Sequence, residues 1–314
     1  MAVMAKPAAD IPTRPFGRTG VRVSILGMGG WHMIVPKTDA DTVRLVHEAI
    51  DSGITFFDNA WDYNDGVSEE RMGKALAGRR EQAFLMTKVC THGRDGKVAM
   101  RQLEDSLRRL RTDYLDLWQI HEVAFDDEPR RHFAKGGVVE ALDKARQQGK
   151  VRFVGFTGHK DPALHLEMLS YDYKWDAVQM PINCFDGSFR SFEQRVLPEL
   201  NRRGIAPIGM KSLCGDARAI TAGVVSAEEA LRYSLSLPIA TLVTGIDTPK
   251  VLRQDVGIAR GFKPMTAKAM AALRKRVAPV AADGRYELFK ISVAFEGPES
   301  RRQHGIPLAE ELPR

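Results

Sequence analysis

Eight short apolar runs, each followed by a helical pattern, set the narrowest bounds on how this chain folds. They are SILGMG (24–29), ITFFD (54–58), AFLMTKV (83–89), YLDLWQIH (114–121), VRFVGFTG (151–158), DAVQMP (176–181), IAPIGMK (205–211) and ATLVTGI (240–246). Most are continuous rather than alternating, as expected of strands buried on both faces of a parallel sheet. The segments between them read as helices. TDADTVRLVHEAIDSG opens with Thr38 as an N-cap and Asp41 three residues on, and it stops at Gly53. Met100, Leu103, Leu107 and Leu110 make one apolar stripe. Asp161-Pro162, Ser226 with Glu229, and Thr248-Pro249 mark three further helix starts.

Strand followed by helix, repeated eight times, predicts an α/β fold of the (β/α)8 TIM-barrel type. A doubly wound open sheet is the alternative, but GMGGWH after the first strand lacks the GxGxxG spacing. Ahead of that strand, RPFGRTGVRVS reads as a β-hairpin that plugs the barrel floor, with Arg-Thr-Gly at its turn. TAKAMAALRKRV reads as an extra C-terminal helix, and the remainder to Arg314 as an irregular tail. The expectation is one domain over 1–314, with a core of about 15–260 and a C-terminal helix and tail over 261–314.

A chain of 314 residues with 44% hydrophobic and 27% charged content has ample material for one large core. The formal net charge is +6, but basic residues alternate with acids, as in DKARQQGK. That favours a solvated surface over nucleic-acid binding and suits an anionic cofactor. Cys90, Cys184 and Cys214 are far apart, which argues against a disulfide framework. No run is long enough to span a membrane. MAVMAKPAADIPTRP lacks the apolar stretch of a signal peptide and reads as a short leader, making cytoplasm the expected compartment.

In a barrel of this kind, side chains at the C-terminal strand ends face the active site. Those positions hold Asp58 and Tyr63 in FFDNAWDYN, Lys88 in LMTKV and His121 in LWQIHEV. Each has an ordinary structural reading, since Asp ends strands and a single His or Tyr often only packs. Their joint placement is more specific, because Lys88 inside an apolar strand needs a partner and Asp58 is the natural one. These four residues, with FGRTGVRVSILGMGGW before them, resemble the catalytic tetrad and N-terminal hairpin of the aldo-keto reductases over roughly residues 15–260.

The resemblance implies a nicotinamide-dependent oxidoreductase acting on a small carbonyl or alcohol. Reducing a carbonyl requires hydride on carbon and a proton on oxygen, and no side chain supplies hydride. A phenol near its usual pKa of about 10 keeps its proton at neutral pH, so Tyr63 is the expected donor. Lys88 is expected to lower that pKa, Asp58 to hold Lys88, and His121 to hydrogen-bond the carbonyl oxygen. The same resemblance leaves two alternatives. One is a cofactor-sensing regulatory module like the potassium-channel β subunits; the other is a lyase or isomerase using the Tyr/Lys pair.

Carried over from the family, Gln179 is expected at the nicotinamide carboxamide, with Gly30, Trp31 and Asp58 near the ring. Thr157-Gly158 stands where the family usually has Ser-Asn, so one side-chain amide is missing. Met210, Lys211, Ser212 and Leu213 follow strand seven, in the stretch that wraps nicotinamide and pyrophosphate. Gly245, Asp247 and Thr248 sit at a helix N-terminus after strand eight, a usual phosphate site. Lys250 is the candidate for a 2′-phosphate, Val251 fills the usual position for that contact, and Gln254-Asp255 replaces a Glu-Asn pair near adenine. NADPH is expected, with NADH as the alternative. Trp31, His32 and Trp61 are expected to form an aromatic wall around substrate, beside Tyr63 and His121. The loop EVAFDDEPRRHFAKGG and the tail should cover the mouth. No metal is expected: HExxH is absent, and His159 and His165 are six apart. Oligomeric state is not legible.

Overall fold

The computed structural model describes residues 10–90, 95–293 and 295–311, with Ala309 described by its backbone alone. The leader's first nine residues and the last three residues of the tail lie outside the described residues. A two-stranded antiparallel hairpin, β1 (Thr13–Pro15) and β2 (Arg22–Ser24), precedes eight parallel strands. These are β3 (Leu26–Gly29), β4 (Phe56–Asp58), β5 (Phe84–Val89), β6 (Leu115–Ile120), β7 (Val151–Thr157), β8 (Ala177–Pro181), β9 (Ala206–Met210) and β10 (Thr241–Thr244). They run in chain order and close where β10 pairs with β3 through Val243 and Gly27. The fold is a (β/α)8 barrel with an N-terminal hairpin.

Each strand falls within the apolar run that predicts it, with one difference at the start. Ser24 ends the hairpin and Leu26 begins the barrel, so SILGMG serves both sheets. The helix starts also follow their local chemistry. Thr38 with Asp41 and Ser226 with Glu229 both form complete capping boxes, and Thr248 caps the helix Pro249–Arg260. The tail is less irregular than expected: after the extra helix Ala267–Ala281 it forms short helices over Leu288–Ile291 and Pro298–His304.

Strand parity positions the site. Phe56, Phe84, Met86, Leu117, Ala177, Ala206 and Ile208 pack with Phe16 in one inner cluster. Successive side chains alternate between faces. Two residues further along, the same face therefore carries Asp58, Lys88, Gln119, Gln179 and Met210. The other face, including Phe57, Leu85, Trp118, Phe156 and Val178, packs against the helices. Phe16 reaches in from the hairpin loop, its ring 4.8 Å from Phe84 and 6.0 Å from Phe56, and closes the floor.

Candidate active site

Lys88 is 1% exposed, and its ammonium uses all three of its N–H bonds. It donates to Asp58 Oδ1 at 2.7 Å, to the Asn59 carbonyl at 2.8 Å and to Tyr63 Oη at 3.2 Å. The second Asp58 oxygen accepts from Gln179 Nε2 at 2.8 Å, which joins β4, β5 and β8 in one network. A charge this deep is tolerated only when paired and fully hydrogen-bonded, and Lys88 meets both conditions.

Tyr63 is held by an unusual piece of backbone. Asn64, Asp65 and Gly66 follow it with φ of 52°, 54° and 88°, all left-handed, where Asn, Asp and Gly are tolerated best. The Asn64 amide donates to the Trp31 carbonyl at 2.9 Å and to Ser68 Oγ at 2.7 Å. A Cβ at Gly66 would also meet the Arg109 guanidinium at 2.4 Å and push that side chain aside. Arg109 in turn donates to the Trp61 carbonyl at 2.9 Å and pairs with buried Glu69 at 3.2 Å.

His121 presents its ring to Tyr63 edge-on, with centroids 5.5 Å apart. Its Nδ1 lies 3.1 Å from Oδ1 of Asp62, and the other Asp62 oxygen is 3.5 Å from Cys90 Sγ. Burial works to raise the Asp62 carboxyl, but the His121 charge and hydrogen bond outweigh it and bring the pKa to about 2. The Asp62, Cys90 and His121 ligand atoms lie within 4.8 Å of one another. Their mutual hydrogen bonding accounts for that closeness. Sequence reasoning missed Asp62 and the Asn59 carbonyl. A carboxylate directly before Tyr63 was a readable signal for the first; a backbone acceptor left none for the second.

The Tyr63 phenol departs from expectation. Burial, followed by the charges of Asp58, Asp62 and Glu122, pushes it well above its ordinary value of 10.0. Lys88 does not bring it down as expected, because burial and the three carboxylates outweigh the one hydrogen bond from Lys88.

Of the residues expected at a cofactor, Gln179 is the most telling. Its Oε1 is buried and has no hydrogen-bond partner, leaving an acceptor suited to an amide N–H such as that of nicotinamide. Thr157 ends β7, and Gly158 follows where no larger residue fits, since a Cβ would lie 2.4 Å from the Val123 carbonyl. Gly30 is similarly confined, with the Asp58 carbonyl 2.5 Å from a Cβ there. Beyond Met210 the chain turns left-handed at Lys211 (φ 55°), and Ser212 and Leu213 begin the loop. The Lys211 ammonium sits over the Phe289 and Phe295 rings of the tail, at 5.3 and 5.2 Å. At the far end, Thr248, Lys250 and Gln254 are exposed and Val251 half-buried, while Asp255 is buried and pushed up by that burial to about 6.

The expected aromatic wall divides. Trp31 meets Tyr63 edge-on at 5.2 Å. His32 instead lies over Gly245, its Cε1 2.4 Å from where a Cβ would be, and burial lowers its pKa against the opposing charge of Asp247. Trp61 turns to Arg109, whose guanidinium is 5.4 Å above its ring, beside a cavity of about 160 Å³ that Pro298 and Arg302 also line. Small Gly245 leaves room for His32, and the Arg109 guanidinium engages both the ring and the carbonyl of Trp61. The loop after His121 does meet the tail: the Phe125 and His304 rings stack at 3.6 Å, and Gly297 N is 3.5 Å from Glu122 Oε2. Lys290 anchors the tail, buried between Asp186 at 2.7 Å and Glu287 at 2.9 Å.

Comparison with known proteins agrees with this architecture. The model of the aldo/keto reductase family matches residues 25–217. The chain is 33% identical over 186 residues to methylglyoxal reductase YeaE of Escherichia coli, an alignment covering 59% of this chain and 58% of that protein. It therefore spans less than two thirds of that relative. It is 29% identical over 248 residues to the 6-dehydroglucose reductase of Novosphingobium aromaticivorans, covering 71% and 79%. Aldo-keto reductase AKR11C1 of Bacillus halodurans superposes with a TM-score of 0.70 at 23% identity, over 85% of this chain and 96% of that one. The Klebsiella pneumoniae aldo/keto reductase, solved with NADP and acetate, gives 0.69 at 22%, over 83% and 94%. At such identities the two solved structures speak to fold alone. With the family model covering well over half of its length, the chain belongs to the aldo/keto reductase family.

Proposed function

We propose that this protein is an NAD(P)H-dependent oxidoreductase that interconverts a small aldehyde, ketone or sugar with its alcohol. Tyr63 acts as the general acid in reduction and the general base in oxidation. The observation that carries the reading is the arrangement at Lys88. All three of its N–H bonds are used, one of them donated to the Tyr63 oxygen, so the phenol's own proton remains for a carbonyl oxygen. Burial, together with the carboxylates around the phenol, keeps that proton in place through neutral pH. His121 orients the carbonyl, and Asp58 holds Lys88 charged.

A bound nicotinamide supplies or takes up the hydride. Gln179, Thr157, Met210 and Lys211 are the residues that would hold its ring and phosphates, with Gly245, Asp247, Thr248 and the exposed Lys250 toward the adenosine end. NADPH is the proposed cofactor, on the strength of Lys250, with NADH the alternative. The names of the reductase relatives support a small polar carbonyl as the substrate class.

The test follows NADPH absorbance with a panel of small aldehydes and ketones, for wild type and Tyr63→Phe. Removing a positioned acid should lower kcat by about 100-fold or more. Turnover by Tyr63→Phe close to wild type would sink the assignment.

A further inference from the structure

Three side chains with metal-binding atoms stand together next to the tetrad. Asp62 lies in the loop after β4, Cys90 directly follows β5 and His121 directly follows β6, so three neighbouring strands supply one donor each. Cys90 is fully buried, and the His121 and Asp62 side chains are only 11% and 9% exposed. His121 Nδ1 is 3.1 Å from Asp62 Oδ1, Cys90 Sγ is 3.5 Å from Asp62 Oδ2, and the three donor atoms lie within 4.8 Å of one another. The backbone that carries them is fixed. Cys90 N–H donates to Gln102 Oε1 at 2.8 Å, and the Cys90 carbonyl accepts from Gln102 Nε2 at 3.2 Å. His121 N–H donates to the Val89 carbonyl at 2.9 Å, which ties the two strand ends together.

A tetrahedral ion imposes separations of this kind. Bonds of about 2.0 Å to nitrogen and oxygen and about 2.3 Å to sulfur put neighbouring donors roughly 3.3–3.5 Å apart. The hydrogen bonds that gather the three side chains therefore hold them at coordination spacing, and an ion takes the place of shared protons. The donor set also selects the ion. Imidazole and thiolate suit Zn²⁺, whereas Mg²⁺ and Ca²⁺ take oxygen donors. One thiolate and one carboxylate cancel the two charges of such an ion, as a buried site requires. On binding, the thiol proton passes to solvent, and the imidazole carries its proton on Nε2 instead of Nδ1. The fourth position is left to water or a further donor.

The cavity of about 160 Å³ beside Trp61 reaches the same carboxylate, and Asp65 and Glu299 line it as well. Its two cations already have carboxylate partners, Arg109 with Glu69 at 3.2 Å and Arg302 with Glu299 at 3.5 Å. The balance of charge in this wall favours an entering cation. We infer that Asp62, Cys90 and His121 form a binding site for Zn²⁺, or for a divalent ion of the same donor preference, beside the tetrad. Such an ion replaces the hydrogen bond from His121 to Asp62, so metal loading and the orientation of the imidazole draw on the same atoms.

The test titrates cobalt(II), a coloured probe that takes the donors and geometry of zinc, into the metal-free protein. Wild type should develop a thiolate-to-cobalt charge-transfer band and the visible bands of a four-coordinate ion at one equivalent, and Zn²⁺ should bleach both, because zinc binds such donors more tightly. Cys90→Ala, shown to be folded by circular dichroism, should lose the charge-transfer band. Asp62→Ala and His121→Ala should each weaken cobalt binding by at least about tenfold, the least that even an outer partner of a metal costs. No charge-transfer band in wild type, a band that persists in Cys90→Ala, or unchanged affinity in either of the other variants overturns the inference. If Cys90→Ala does not fold, X-ray absorption of the zinc-loaded wild type decides. One sulfur at about 2.3 Å among nitrogen and oxygen donors at about 2.0 Å supports the site, and a shell with no sulfur or with two overturns it.

Discussion

Asp62 Oδ1 lies 3.1 Å from Nδ1 of His121, so the imidazole that faces the Tyr63 ring is itself held by a carboxylate. Ionised Asp62 can only accept, so the proton of this hydrogen bond belongs to His121 Nδ1. The ring's orientation and its Nδ1 proton thus depend on a residue adjacent to Tyr63. Asp62→Asn keeps the shape but removes the charge, and kcat should fall by about tenfold. Nitrogen-15 NMR should show the Nδ1 proton in wild type and its loss or exchange broadening in the variant. The acid limb carries a second sign of the pairing. The folded-state value of about 2 is below the usual 3.8, so the pairing stabilises the fold above pH 3.8 and that contribution is lost as pH falls toward 2. Wild-type kcat and an unaltered acid limb in Asp62→Asn would make the contact incidental.

Lys88→Met leaves the Asp58 carboxylate buried without its cation. Breaking one side of such a pair costs about 3–5 kcal/mol, which denaturant unfolding will register. Adding Asp58→Asn should recover much of the stability, because no buried charge remains, while activity stays low. If the double variant were as unstable as the single one, charge burial would not explain the loss.

Gln179→Met removes both the hydrogen bond to Asp58 and the unpartnered Oε1. Cofactor affinity, measured by quenching of protein fluorescence, should weaken about tenfold, the scale of one buried hydrogen bond. Unchanged affinity would exclude Oε1 as a cofactor contact.

His165 is fully buried, with Nε2 3.3 Å from the Gln179 carbonyl, and burial lowers its pKa from 6.5 to about 4. The unfolded chain therefore binds the proton first. The stability at stake is fully present above pH 6.5 and is lost as pH falls through about 4. A shift of this size corresponds to on the order of 3 kcal/mol. Thermal melts from pH 7 to 4 should show this decline, and His165→Asn should flatten it.

Lys290→Met empties the clasp that Asp186 and Glu287 form around the tail. Two buried carboxylates then face each other, and residues 288–304 should become cleavable by trypsin at Arg301 and Arg302 before the barrel unfolds. A digestion pattern identical to wild type would show that the tail is held elsewhere.

The barrel was legible because most of its strands are continuous apolar runs, and the helix starts because Thr38, Ser226 and Thr248 cap through their own side chains. The strand-end group Asp58, Lys88 and His121 follows from the same parity that places Phe56, Phe84 and Leu117 inside. What escaped was decided by distant partners. Nothing near Trp61 in the chain announces Arg109, and nothing near His32 announces that Gly245 leaves it room. The opposite shift of the Tyr63 phenol was hidden for a similar reason: two of the three carboxylates responsible, Asp62 and Glu122, belong to loops beyond the strand ends. The tail's helices are short and lack strong caps, so their order comes from buried contacts such as Lys290 and Arg301 rather than from local pattern.

Phe16 gives the barrel a floor, and with it a direction. Apolar carbon fills the pole where Phe16, Phe56 and Phe84 meet, so nothing there can hold a charge or a proton. The barrel's buried ammonium and its partners Asp58 and Gln179 are thereby confined to the opposite rim, and one phenyl ring decides which end can carry chemistry.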